Sequence, residues 1–245
     1  MEITFQVNPL RCQDNDYTQS KNAPEVITIE TMEPIDYYQI YFLRHGESTG
    51  NANGYHQGQS DFPLSEKGIQ QAQQLASLWK AEGLHFDKII SSPLSRARQT
   101  AEIIAQALSM PIEFDPIWME RDAGLLSGLH TEEAQKRYPR PDFMSVYDKI
   151  GITGESQWEL FLRAGKAVDA LIKREPGRYL VVSHGGILNM VLYVTLGIFP
   201  QPNFYGAQFL FTNTGYAILH FYPQTHNWLL VELSHPTKKF ASEER

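Results

Sequence analysis

The sequence predicts an α/β fold: a three-layer α/β/α sandwich around a mainly parallel sheet, with antiparallel strands at one side. Three observations lead there. Between residues 37 and 196, short β-branched and aromatic runs alternate with segments whose apolar residues recur at helical spacing. Three separate β-to-α junctions carry charged or titratable groups: Arg44 with His45, then Arg96, then His184. Beyond residue 196 the helical period stops, and strand-like segments follow one another across the turn signals at 213–215 and 223–227.

The elements follow in order. Residues 1–36 mix polar and apolar residues around Pro9, Pro24 and Pro34, with one alternating stretch at 26–29, and are expected to form an extended arm. The run YYQIYFL from residue 37 predicts a buried strand that delivers Arg44-His45-Gly46, followed by a polar, Gly-rich loop to about residue 64. Ser65 is placed to cap a helix whose apolar face is Ile69, Ala72, Leu75, Ala76 and Trp79, stopped by Gly83. A strand at 87–91 and a helix opening at Pro93, with Ala97, Ala101, Ile104, Ala105 and Leu108 on one face, repeat the alternation. A short strand at 111–114 precedes a Gly- and Pro-rich loop over 115–154. Ser156 and Glu159 then form a capping box for a helix to about Arg174. The run YLVVS at 179–183 predicts another buried strand, and His184-Gly185-Gly186 opens an apolar helix to about Leu196. Strands are expected at 207–214, Tyr216–Tyr222 and 228–233, with a polar tail over 236–245. Residues 37–235 thus read as one domain.

Composition bounds the function. Of 245 residues, 21 are Lys or Arg and 28 Asp or Glu, for a net charge of -7, so nothing in the bulk electrostatics recruits nucleic acid or an anionic membrane. Any anion site must be local. The lone Cys12 has no internal disulfide partner, and the most apolar stretch, 186–199, is shorter than a membrane span. The first residues lack a basic start followed by an apolar run. A soluble, unanchored, cytoplasmic protein is expected.

In open α/β sheets ligands bind at the carboxyl ends of the strands, so Arg44, His45, Arg96 and His184 should converge on one crevice. Arginine suits phosphate oxygens, helix N-termini add N–H donors, and glycines at 46, 185 and 186 admit close backbone approach. The segment L-R-H-G-E-S-x-x-N at 43–51 resembles the signature of the histidine phosphatase superfamily, in the branch that contains the cofactor-dependent phosphoglycerate mutases. Four later segments resemble that family's blocks in the right order: D-x-P-L-S-E-K-G at 61–68, S-S-P-L-S-R-A-R-Q-T-A at 91–101, E-R-x-x-G-x-x-x-G-L at 120–129 and S-H-G-G at 183–186. Together they cover about residues 38–195, and the resemblance implies a phosphoglycerate mutase-like fold.

The resemblance also implies roles. His45 would be the nucleophile that takes a phosphoryl group, with one ring nitrogen held as N–H by a backbone carbonyl of the 45–48 loop. Arg44, Arg96 and His184 would surround the phosphoryl oxygens, and Asn51 would donate its amide. Glu120 would protonate the leaving alkoxide and later take a proton from water. By the same resemblance Gln57, Gly58 and Gly185 would touch the substrate phosphate. Glu47 is read as holding its loop, and Arg98 as a surface or structural residue. His56, His85, His130, His220, His226 and His235 are read as surface or core residues. No cofactor and no metal are implied, because no His, Cys, Asp or Glu set has metal-ligand spacing.

Two competing motifs fail on context. Asp14 to Thr18 fits the D-x-D-x-T pattern of haloacid-dehalogenase-type phosphatases but follows no apolar strand, and Cys12 is followed by Thr18 where a cysteine phosphatase needs arginine. Hydrolysis of a small phosphorylated metabolite is the leading expectation. Phosphoglycerate mutases similar to this chain carry tyrosine at the position of Ala123, lysine at that of Thr131, and a later pair of adjacent arginines. None of these cationic or phenolic groups is present here, where Asp122, Ala123 and Thr131 stand. The alternatives are mutase-type transfer and a non-catalytic phosphate-binding protein. The arm at 1–36 is expected to pair with a sheet edge or with another subunit in a homo-oligomer. Specificity is expected in the 115–154 region and the 197–206 loop, with Arg121, Arg140 and Phe204 among the bordering residues.

Overall fold

Alternation along the first strand decides how the sheet is packed. In the computed structural model, which describes residues 36–235, β1 is Tyr38–Arg44. Its Tyr38, Ile40 and Phe42 join one hydrophobic cluster, while Tyr41 and Leu43 join another on the opposite face. The expected arm up to residue 35, with Cys12 and the 14–18 segment, and the tail at 236–245 lie outside the described residues.

The remaining elements are α1 (Thr49–Ala52), α2 (Glu66–Ala81), β2 (Lys88–Ser91), α3 (Ser95–Leu108), β3 (Ile112–Phe114), α4 (Thr131–Arg137), α5 (Gln157–Ile172), β4 (Gly177–Ser183), α6 (Gly185–Leu196), β5 (Tyr216–Tyr222) and β6 (Asn227–Ser234). They build a six-stranded sheet in the order β3-β2-β4-β1-β5-β6. The pairs β3/β2, β2/β4 and β4/β1 are parallel, and β1/β5 and β5/β6 antiparallel. Leu75, Ala76 and Trp79 of α2 pack with Ala97, Ala101 and Ile104 of α3 against one face. On the other face lie Leu160, Ala164 and Val168 of α5 and Ile187, Leu188 and Val191 of α6. This is the expected three-layer sandwich with antiparallel strands at one side.

Four expectations need correction. Residues 207–214 form no strand: side chains take backbone groups of Phe209 and Phe211 where a ladder would have paired them. Asn189 brackets Phe209 through both its amide nitrogen (3.0 Å) and its amide oxygen (2.9 Å), and Arg44 takes the carbonyl of Phe211 at 2.6 Å. The 115–154 loop contains α4, whose first turn carries Glu132 and Glu133 and whose last carries Lys136 and Arg137, matching the helix dipole. The 45–64 loop contains the single turn α1, capped by Ser48. Pro93 stands before the third helix, which begins at Ser95, and Asp61 receives both the backbone N–H (2.7 Å) and the hydroxyl (2.6 Å) of Ser95.

The capping box at the start of α5 is present: the Glu159 N–H donates to Ser156 Oγ at 3.1 Å, and the Ser156 N–H donates to Glu159 Oε2 at 2.9 Å. Ser156→Ala is expected to cost about 1 kcal/mol and to lower the melting temperature by roughly 2–4 °C. Calorimetric melting checks this, and an unchanged Tm would show that the cap does not hold the helix.

Candidate active site

Register brings the two histidines together. Arg44 at the end of β1 is paired with Ser183 at the end of β4, so His45 and His184 leave adjacent parallel strands side by side. Their ring centroids are 5.1 Å apart, and both side chains are buried, at 3% and 0% exposure. On the far side of β4, β2 pairs Ser91 with Val182, and the next residue, Ser92, reaches His184.

His45 Nδ1 lies 2.6 Å from the carbonyl oxygen of Gly46. A carbonyl only accepts, so Nδ1 carries the proton and Nε2 keeps its lone pair. The expectation of a carbonyl from the 45–48 loop is met by Gly46. Burial, then the positive charges of Arg96 and Arg44, push the His45 ring well below the ordinary histidine value of 6.5, against the Gly46 carbonyl. The ring is neutral at pH 7.

Arg96, 1% exposed, donates from Nη2 to the carbonyl of Gly58 (2.8 Å), from Nη1 to that of Ser60 (3.0 Å) and from Nε to His184 Nδ1 (3.2 Å). Burial holds its guanidinium down to about 10, although Glu120 and Asp61 oppose this. His184 is therefore an acceptor at Nδ1, and its Nε2–H donates to Ser92 Oγ at 2.8 Å. Burial, followed by Arg96, keeps this ring neutral too. Both ring nitrogens are engaged, so in this arrangement His184 orients the Arg96 fork.

Arg44 donates from Nη1 to the carbonyl of Phe211, while its buried Nε finds no protein partner. A β-carbon on Gly185 would lie 3.7 Å from that Nε, which places the start of α6 against the guanidinium. A buried N–H donor without an acceptor, beside the buried guanidinium of Arg96, is the chemistry of an anion site.

Glu120 closes the pocket from the other side. Its carboxylate accepts from the N–H groups of Arg121 (2.8 Å), Gly186 (3.1 Å) and Ile187 (3.2 Å), so it caps α6. A β-carbon at Gly186 would fall 2.4 Å from Glu120 Oε1, so any larger residue there would push the carboxylate out of this position. Asn51 accepts at Oδ1 from the Ser48 N–H (3.2 Å) and from Asn213 Nδ2 (3.4 Å), leaving its own NH₂ for an acceptor. Gln57 Oε1 accepts from Ser48 Oγ at 2.7 Å. The structure thus brings together Arg44, His45, Asn51, Gln57, Gly58, Arg96, Glu120, His184 and Gly185. Glu47 holds its loop, through Ser65 (2.9 Å) and Lys67 (2.8 Å), and His130 caps α4.

Three further residues shape the site and are missing from the sequence reading. Ser92 fixes the His184 tautomer. Asn213 Nδ2 donates to the carbonyl of His45 (3.2 Å) as well as to Asn51. Arg163 of α5 spends its fork on the carbonyls of Ile117 (2.9 Å), Met119 (2.7 Å) and Glu120 (3.1 Å) and on both Glu155 oxygens (2.8 and 2.7 Å). Against the upward push of burial, Arg163 holds the Glu155 carboxyl below its ordinary value. The run E-S-x-x-E-x-x-x-R at 155–163 could have flagged this pair, since Glu155 and Arg163 share a face across the cap of α5. Among the described residues, no group of three or more His, Cys, Asp or Glu side chains is placed to hold a metal ion, and no helix is long and apolar enough to cross a membrane.

Residues 40–234 match the family described as histidine phosphatase superfamily (branch 1). A curated relative from Escherichia coli, "Probable phosphoglycerate mutase GpmB", is 40% identical over 164 residues, which span 65% of this chain and 75% of the relative. Among solved structures, a phosphoserine phosphatase from Entamoeba histolytica in complex with 3-phosphoglyceric acid superposes with a TM-score of 0.64 at 25% identity, covering 81% of this chain and 97% of that one. The mycobacterial glucosyl-3-phosphoglycerate phosphatase in complex with VO₃ gives a TM-score of 0.65 at 23% identity, over 80% of this chain and 98% of that one, a likeness of fold.

The buried neutral histidines have a consequence for acid stability. Below pH 6.5 the unfolded chain takes up protons on residues 45 and 184 while the folded chain does not, so stability present above that pH is lost as pH falls. The expected slope is about 1.4 kcal/mol per pH unit for each ring. Denaturant melts between pH 7.5 and 5 should show the loss, reduced in His45→Asn and in His184→Asn; identical pH dependence in all three proteins would contradict it.

Proposed function

The chain belongs to branch 1 of the histidine phosphatase superfamily and is a phosphoryl-transfer enzyme; from that premise we propose that it hydrolyses phosphomonoesters of small metabolites without a metal, through a phosphohistidine on His45. The observation that carries the reading is the His45 Nδ1–H bound to the Gly46 carbonyl, in a ring kept neutral by burial beside Arg96 and Arg44. A neutral imidazole with a defined lone pair is a nucleophile at pH 7, and the arginines favour the anion it attacks.

In the proposed reaction the Nε2 lone pair of His45 forms the N–P bond as the P–O bond to the leaving group breaks. The electron pair of that bond departs on the alkoxide oxygen, which takes a proton from Glu120. Water then attacks phosphorus, gives its proton to Glu120, and the N–P electron pair returns to Nε2. Arg44 and Arg96 hold the non-bridging oxygens, with Asn51, Gln57, Gly58 and Gly185 around them. His184 orients Arg96, and Arg163 fixes the backbone that carries Glu120.

Release to water is favoured over return to substrate by the absence of cations where a mutase needs them. Thr131 spends its hydroxyl on the Gly54 carbonyl (2.7 Å), Asp122 accepts from the Gly124 N–H (2.8 Å), and Ala123 packs beside Gly58. Mutase-type transfer is the second reading, favoured by the name of the curated relatives. A cytoplasmic setting is proposed on the single cysteine of the chain.

The test is phosphate release in chelator from p-nitrophenyl phosphate and from a panel of alkyl phosphates, including the two phosphoglycerates. His45→Ala should abolish release. Glu120→Gln should slow the alkyl esters about 100-fold or more and p-nitrophenyl phosphate much less, because nitrophenolate leaves without a proton. Activity that vanishes in chelator and survives His45→Ala would overturn the proposal. Interconversion of phosphoglycerates without phosphate release would establish the mutase reading in its place.

A further inference from the structure

We infer that Asn189 is a positioning residue for Arg44: through the backbone of residues 209–211 it fixes the carbonyl to which that guanidinium is bonded. The inference rests on the phosphoryl site proposed above and deepens it, because it makes the site's affinity for an oxyanion depend on a residue outside it. The guanidinium groups of this region are held unequally. Among the described residues, Arg163 makes five hydrogen bonds and Arg96 three, whereas Arg44 makes one, to the Phe211 carbonyl at 2.6 Å. A long side chain with four rotatable bonds and a single tether points where the tether lets it, so the place of Phe211 sets the aim of the unpartnered Nε.

Phe211 lies in a stretch with no regular structure to place it. Among the described residues, no backbone-to-backbone hydrogen bond reaches residues 207–211. The Phe211 ring is buried in the cluster that includes α5 and α6, which fixes its depth. Register along the chain comes from Asn189. Its Oδ1 accepts the Phe209 N–H (2.9 Å), and its Nδ2 donates to the Phe209 carbonyl (3.0 Å) and to the Gly185 carbonyl (2.9 Å). One side-chain amide thereby pairs both backbone groups of Phe209, as a neighbouring strand would, and two residues on the carbonyl of Phe211 goes to Arg44.

The helix makes this a ruler. Gly185, Asn189 and Tyr193 share one face of α6 at i, i+4 and i+8, and the Tyr193 hydroxyl bonds the Ala207 carbonyl, so successive turns of that face hold successive parts of the segment. Gly185 closes the circuit: its carbonyl is bonded to Asn189, and a β-carbon on it would lie 3.7 Å from Arg44 Nε. Removing the Asn189 amide leaves the Phe209 N–H and carbonyl without partners and frees residues 209–211 to shift along α6. The Phe211 carbonyl moves with them, and Arg44 follows it away from the oxyanion. Small misplacements of a charged donor are expensive: about 1 Å can cost on the order of 100-fold.

The experiment measures orthovanadate binding by titration calorimetry, and KM and kcat for p-nitrophenyl phosphate, in the full chain and in Asn189→Leu and Asn189→Asp. Both replacements are close to asparagine in shape and lack its two amide donors, and the aspartate variant keeps an acceptor if leucine disturbs folding. The vanadate Kd and the KM should rise together about tenfold. A lowered Tm with both constants unchanged would show a purely structural role and overturn the inference while leaving the phosphoryl site standing. A second arm repeats Asn189→Leu in an Arg44→Met background, where the loss of vanadate affinity should shrink to less than about twofold, because the group through which Asn189 acts is gone. The full loss in that background would place the effect at the Gly185 carbonyl and also overturn it. If the pattern appears in vanadate binding but no ester is hydrolysed, the positioning role stands and the hydrolytic reading fails. If the unsubstituted protein neither binds vanadate nor turns over the ester, the phosphoryl site is wrong and the inference falls with it.

Discussion

Two guanidinium groups drawn into the carboxyl end of the sheet, Arg96 fully buried and Arg44 partly so, are the constraint on which the rest of the site depends. Neither Arg44 nor Arg96 forms an ion pair among the described residues, and a buried charge that lacks a counter-ion is costly unless dipoles surround it. The chain supplies those dipoles from separate places: the carbonyls of Gly58 and Ser60 for Arg96, and that of Phe211 for Arg44. The first gathers the polar loop after β1, and the second draws in the irregular segment before β5. Burial, reinforced by these charges, keeps His45 and His184 neutral, and Arg44 keeps a donor without an acceptor. A phosphoryl group is the kind of ligand that completes such an arrangement, which links the fold to the proposed reaction.

The fold depends on this site less than the site depends on the fold. Parallel pairing of β1 and β4 sets His45 beside His184, and β2 on the other side of β4 adds Ser92 and, one helix turn on, Arg96. Glu120 arrives on a loop that Arg163 holds by three carbonyls, and Ser183 Oγ adds a bond to the Trp118 carbonyl at 2.7 Å. The loop is thereby referred back to β4, the strand that carries His184. Positioning of this kind places reacting groups without relying on the reaction itself to organise them.

Much of the fold is legible in the sequence because burial on both faces of the sheet makes β1 and β4 nearly unbroken apolar runs, while one-sided burial writes a helical period into α2, α3 and α5. Legibility fails where backbone groups are satisfied by distant side chains. Residues 207–212 have the apolar, aromatic texture of a strand, yet Asn189 and Arg44 take their polar groups. The helix α4 was hidden in a Gly- and Pro-rich stretch because it buries only Ala134 and signals itself by charge order. In the site, Arg44, His45, Arg96, Glu120 and His184 are legible from their junctions and ordered segments. Ser92, Asn213 and Arg163 are not, since their importance lies in partners 92, 168 and 43 residues away. Which ring nitrogen of His184 accepts from Arg96 is likewise a property of the packed molecule alone.

The central claim, that His45 carries the phosphoryl group covalently, is tested most directly by trapping it. Rapid denaturing quench of the enzyme turning over a ³²P-labelled ester, with Glu120→Gln used to slow the second half-reaction, should yield a base-stable, acid-labile phosphoenzyme. Peptide mapping should place the label on Nε2 of residue 45, and His45→Asn should carry none. Label on any other residue, or steady turnover with no label on residue 45 at any time, would contradict the account.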